Sequence, residues 1–173
     1  MLILNRNIKL LYLVLCCLSI FSSHAQTLLF KSNDIKLLLG EWKGTLTYLD
    51  YSSNKPYTMP SEVSIRPIPK TNQLIFSNIY PDEPKANKAD TVLISHGGQM
   101  IDNEIVKKRV ILNNMNIEIV TEYKGVDGND NAAAIIRHTY TFGKTIFVKR
   151  KEVQFVGKSE WIKRNEYAYH RKV

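Results

Sequence analysis

The sequence predicts an all-β fold: one antiparallel up-and-down β-barrel of about 8–10 strands behind a short N-terminal helix. Three observations lead there. From Gly40 onward the apolar pattern has period two, as in Trp42, Gly44, Leu46 and Tyr48 against Glu41, Lys43, Thr45 and Thr47, which is the alternation of a half-buried strand. Val, Ile, Thr, Tyr and Phe dominate stretches near 61–68, 72–80, 90–97, 104–112, 115–123, 133–142, 144–155 and 159–171. The breaks between them are short and carry turn chemistry, such as Gly97-Gly98, Asn113-Asn114 and the Gly125 to Asn131 run, and short links join antiparallel neighbours.

Ahead of the strands, Lys31 to Leu39 reads as a helix, with Ser32, Asn33 and Asp34 offering cap oxygens and Gly40 able to take a left-handed stop. Farther upstream, Arg6 and Lys9 precede an apolar run from Leu10 to Phe21 and the small-x-small site Ser23-His24-Ala25. This is the build of a secretory signal peptide. The expected organisation is therefore a leader over 1–25 and one lipocalin-like barrel domain over 26–173, exported to the periplasm or beyond. The leader's apolar run falls short of the ~20 residues of a membrane span, so the mature chain is not expected to span a membrane. Cys16 and Cys17 both lie in the leader, and the mature domain must hold together without disulfides.

Charge is unevenly placed. The formal net charge is +8. Residues 26–143 hold thirteen basic and thirteen acidic residues, whereas 144–173 hold nine basic and three acidic. The longest loop, Tyr80 to Lys88, carries Pro81 and Pro84 with several charges and has the composition of a mobile rim or lid.

Gly40-x-Trp42 on the first strand, after a short helix and before a meander of hairpins, resembles the calycin group of lipocalins and fatty-acid-binding proteins. The stretch from Lys151-Glu152-Val153-Gln154-Phe155 to Asn165-Glu166-Tyr167 is also similar to exported lipocalin-like proteins of Bacteroidetes-type bacteria. The resemblance implies a barrel whose last strand closes on its first, with a basic residue over the tryptophan. Antiparallel closure sets Trp42 beside Tyr169 or Arg171, and Tyr48 or Asp50 near Trp161. Gly40, Trp42 and Arg171 are then structural. The chain lacks the lipocalin disulfide, and its final strand has Arg164-x-Glu166 where fatty-acid-binding proteins carry an Arg-x-Tyr clamp.

The resemblance implies a binding module for a small apolar or amphipathic ligand of the lipid or fatty-acid class. Strand alternation nominates Tyr48, Phe76, Tyr140 and Trp161 as pocket residues, with Arg137 or Arg164 as the anchor for an anionic group. A second reading is an interaction protein with a filled core, binding an anionic envelope component or a protein through the basic 144–173 strands or the 80–88 loop. A third is an enzyme whose residues converge only in space; a pocket pairing a carboxylate with His138 would favour it. No catalytic motif stands in the chain. His96, His138 and His170 lack metal-like spacing, and Asp127 to Asn131 reads as a hairpin turn because it lacks the spacing of a calcium loop. No metal, cofactor or nucleic-acid partner is expected.

Overall fold

The computed structural model describes residues 29–50, 53 and 55–172; the expected leader, 1–25, lies outside them. Helix α1 spans Ser32–Leu38. Ten strands follow: β1 Gly40–Asp50, β2 Lys55–Pro67, β3 Gln73–Ile79, β4 Lys88–Leu93, β5 Met100–Ile101, β6 Glu104–Ile111, β7 Ile117–Asp127, β8 Ala132–Phe142, β9 Ile146–Phe155 and β10 Ile162–Arg171. They form one antiparallel sheet in the order β4-β3-β2-β1-β10-β9-β8-β7-β6-β5. Every neighbour except the β1–β10 pair is consecutive in the chain, which is the up-and-down arrangement. The two ends of the sheet meet at the isolated bridge Ile94–Ile101, so the barrel is nearly closed. Among the described residues no helix is long and apolar enough to cross a membrane.

Two strands depart from the sequence pattern. β2 starts at Lys55, ahead of the expected 61, and takes in Pro56 and Pro60. It pairs with β1 along its whole length but with β3 only from Glu62 onward, so both prolines sit where one side of β2 is a free edge, the place a strand tolerates them. β5 has only two residues, too few to show a period, and the sequence gave no sign of it.

Side chains divide the barrel into two ends. At the α1 end, Phe30, Leu38, Trp42, Ile65, Leu74, Ile119, Phe142 and Phe147 pack into one apolar cluster. The helix is fastened over that end by polar contacts. Trp42 Nε1 donates to Leu38 O at 2.8 Å. Arg109, on the inner face of β6, donates through Nε and Nη2 to both oxygens of Asp34 at 2.8 and 2.7 Å. That pair is nearly dry, with side chains 11 and 2% exposed. Arg171 lies opposite Trp42 in the ladder, and its Cζ is 4.1 Å from the Trp42 ring centroid. Its three nitrogens donate to Lys144 O, Leu39 O and Leu37 O at 2.6, 2.7 and 2.6 Å. Gly40 is required beneath it: φ is +124°, and a Cβ there would stand 2.6 Å from an Arg171 nitrogen.

Arg171→Lys keeps the charge but not the planar three-way donation. It is expected to cost about 2 kcal/mol, two hydrogen bonds' worth. Urea unfolding followed by tryptophan fluorescence is the measurement; an unchanged midpoint would show that the clamp is dispensable.

Candidate functional site

Above the apolar plug the interior turns polar. On β7, β8 and β9 the inward positions are those that alternate with the buried residues Ile119, Ile136 and Val153. These are Thr121 and Tyr123, His138 and Tyr140, and Lys149 and Lys151. The ladder sets Tyr140 opposite Lys149 and His138 opposite Lys151. Glu104, the first residue of β6, faces the same space and holds two of these side chains. His138 Nδ1 is 2.8 and 2.9 Å from its two oxygens, and the Thr121 hydroxyl donates to Oε2. The imidazole lies between two tyrosine rings, Tyr123 at 6.3 Å and Tyr140 at 6.1 Å between centroids.

Burial pushes the Glu104 carboxyl upward, but the hydrogen bonds from His138 and Thr121 and the nearby His138 and Lys149 charges outweigh it. Its pKa therefore settles below the ordinary 4.5. The Tyr140 phenol is driven well above 10.0 by burial, with Glu104 adding to the push, so it stays a neutral donor.

Between this group and β2–β4 lies a cavity of about 140 Å³. Val63, Phe76, Val92 and Phe147 form its apolar wall, and Lys88, Asp90 and Lys149 supply its charges. Lys88 and Asp90 pair with each other at 2.9 Å and are largely exposed. Lys149 is different. Among the described residues it makes no hydrogen bond and no ion pair; its closest polar contact is the Tyr140 ring, 5.5 Å from Nζ. Burial pulls its pKa below 10.5, against the opposing pull of Glu104, Asp102 and Asp90. Two tyrosines complete the wall. Tyr167 OH lies 3.1 Å from Tyr80 OH, and Tyr169 OH lies 2.9 Å from Ser61 Oγ. Burial raises both phenols far above their usual range.

The sequence-nominated residues separate into three groups. Phe76 lines the cavity and Tyr140 backs it under Lys149. Tyr48 and Arg164 sit farther along, at the open rim, with Asp50, Lys151 and Asn165. There Arg164 Nε and Lys151 Nζ share Asp127, at 2.6 and 2.8 Å. Arg137 and Trp161 are corrections. Arg137 alternates with the inward His138 and is on the outer face, where it donates to Glu122 at 2.9 and 2.7 Å and covers the Trp161 ring at 3.6 Å. The cause is a bulge between Lys163 and Asn165. One extra residue reverses alternation, so Trp161 does not share a face with Tyr167 and Tyr169, and Tyr48 pairs with Asn165 rather than lying near Trp161. The residues that sequence reasoning missed are Glu104 and Lys149. Lys149 had a signal: it alternates with Phe147 and Val153. Glu104 had none, since its partner His138 is 34 positions away.

The loop over 80–88 has a 3-10 turn at Pro84–Ala86 and is pinned at its root. Tyr80 is buried, and its backbone N donates to Asn87 Oδ1 at 2.7 Å.

Glu104 and Asp127 both have folded pKa values below their unfolded ones. Burial acts to raise Asp127, and Lys151 and Arg164 more than reverse it. The stability each contributes is fully present above the ordinary values of 4.5 and 3.8 and is lost as pH falls through the lower folded values. The urea midpoint should hold from neutral pH to about 5 and fall below that. Glu104→Gln should flatten part of the acid limb. An unaltered slope in that variant would mean the carboxylate is not held as described.

No family model matches the chain, and no curated protein sequence matches it. Among solved structures, the chain resembles the crystal structure of Rv2717c from M. tuberculosis, with a TM-score of 0.54 and 13% identity over 82% of this chain and 96% of that one. At that identity the likeness is one of fold: a nearly closed antiparallel β-barrel.

Proposed function

We propose that this is an exported, calycin-like binding protein whose barrel holds a small amphipathic anion, with the anionic group on Lys149 and the apolar part against Val63, Phe76, Val92 and Phe147. One observation carries the reading. Lys149 is an enclosed ammonium that faces a cavity and has no partner among the described residues. Taking a charge from water without a partner is costly, and a bound carboxylate supplies both the counter-charge and the hydrogen bond. The other inward charges are already matched: Arg109 by Asp34, and Arg164 and Lys151 by Asp127. The volume of about 140 Å³ is well under the ~300–1,000 Å³ of pockets for drug-sized ligands. Within the fatty-acid class it favours short chains over long ones.

The alternative, an anionic envelope component on the basic C-terminal strands, has less support. Arg150 and Lys163 are paired with Glu166, and Lys172 with Glu62. Arg171 is spent on backbone carbonyls. The charge excess seen in the sequence is largely matched locally.

The test is native mass spectrometry of residues 26–173 with butyrate, hexanoate and octanoate, each beside its neutral amide. The acids should form an adduct that the amides do not. Lys149→Met should abolish it and should raise stability by about 1 kcal/mol or more, because the unpaired charge is gone. An adduct that survives in Lys149→Met, or amides that bind as well as acids, would overturn the reading.

A further inference from the structure

Resting on that reading, we propose that the ligand is a hydroxy acid and that His138 is its second anchor. Lys149 and His138 are inward residues on adjacent strands. His138 is opposite Lys151, two positions from Lys149, which makes them diagonal neighbours about 7–8 Å apart. Nδ1 of His138 faces the Glu104 carboxylate at 2.8 Å. A carboxylate only accepts, so the proton of the neutral ring lies on Nδ1 and Nε2 carries a lone pair. The two ring nitrogens point in nearly opposite directions, so Nε2 is aimed away from β6 and into the barrel.

No described residue donates to Nε2. Every buried side-chain nitrogen or oxygen described has a partner, so Nε2 is in contact with open space. Tyr123 and Tyr140 flank the ring, and Glu104, itself bonded by Thr121, fixes its orientation. The result is an acceptor held rigidly beside a donor cation. A monofunctional acid satisfies Lys149 and leaves Nε2 unused. An acid with a hydroxyl on its chain satisfies both, the hydroxyl donating to Nε2. Glu104 is a positioning residue: it fixes the tautomer and touches no ligand.

Isothermal titration of the mature protein tests this with matched pairs: butyrate and hexanoate beside their 2-, 3- and 4-hydroxy derivatives. At least one hydroxy acid should bind about ten-fold tighter than its parent, the worth of one hydrogen bond to a group otherwise left alone. His138→Phe should erase that advantage and leave the parent acid's affinity in place. On the wild type, the ¹⁵N resonance of His138 Nε2 should move with the hydroxy acid and stay with the parent; this readout stands even if His138→Phe fails to fold. If the parent acids bind and no hydroxy derivative binds more tightly, or if the Nε2 resonance is indifferent to the hydroxyl, the hydroxy-acid inference is wrong while the Lys149 reading survives. If neither acid nor hydroxy acid binds, the Lys149 reading falls, and this inference with it.

Discussion

The arrangement depends on Arg171. Its guanidinium lies on the Trp42 ring and donates to three backbone carbonyls, two of them at the end of α1. One side chain from the last strand thus joins the first strand, the helix and the turn before β9. In a meander, the contact between first and last strands is the one that no hairpin supplies. Its loop is the longest in the chain, so closing it costs the most entropy. A planar cation that stacks on an aromatic and satisfies the orphan carbonyls of a helix end offsets that cost at one point. It also explains why a helix of seven residues, too short to persist alone, stays over the barrel end.

With that end shut by an apolar plug, the other half of the interior is free to be polar. Most of its polarity is internally satisfied: Glu104 by His138 and Thr121, Tyr169 by Ser61, and Tyr167 by Tyr80. A satisfied network rigidifies without large penalty. Against that background the Lys149 ammonium and the His138 Nε2 stand apart. Both project from the β8–β9 hairpin, whose strands are paired continuously from Ala134–Phe155 to Phe142–Phe147. Groups carried on two rigid, mutually paired strands keep their spacing, and fixed spacing is what a selective two-point site needs.

Much of the fold was legible because β-structure advertises itself locally. Alternation around Trp42, the turn residues and the absence of mature cysteines gave an up-and-down barrel, and antiparallel closure brought Arg171 to the Trp42 ladder position. The site was legible only in part, for a physical reason. Alternation assigns faces correctly until a residue is inserted. The bulge at Lys163–Asn165 separates Trp161 from the inward set, and the single residue Arg164 reaches the interior against simple counting. Arg137 illustrates a different difficulty: a cation among apolar neighbours reads the same from either face, and only the partner, Glu122, decides. The Glu104–His138 contact joins β6 to β8 across β7 and has no local trace. Lys149 was hidden by its company, because four basic residues within Lys144 to Lys151 read as a solvated run.

The position of the cavity follows from the incomplete closure of the barrel. β4 pairs with β3 along its length, but its other edge is joined to the sheet's far end only by the Ile94–Ile101 bridge. β5 stops at Ile101, and β6 begins at Glu104, so beyond the Asp102–Asn103 turn nothing pairs with that edge of β4. The inward side chains there, Lys88, Asp90 and Val92, form one wall of the cavity. Its opposite wall is the Lys149 side of the continuous β8–β9–β10 ladder. One side of the site is therefore rigid and carries the unpaired donor, and the other is an edge strand whose movement breaks no ladder. A ligand can reach Lys149 by displacing β4 and the Lys88–Asp90 pair while the plug under Arg171 stays intact. Binding and folding thus draw on opposite ends of the same barrel.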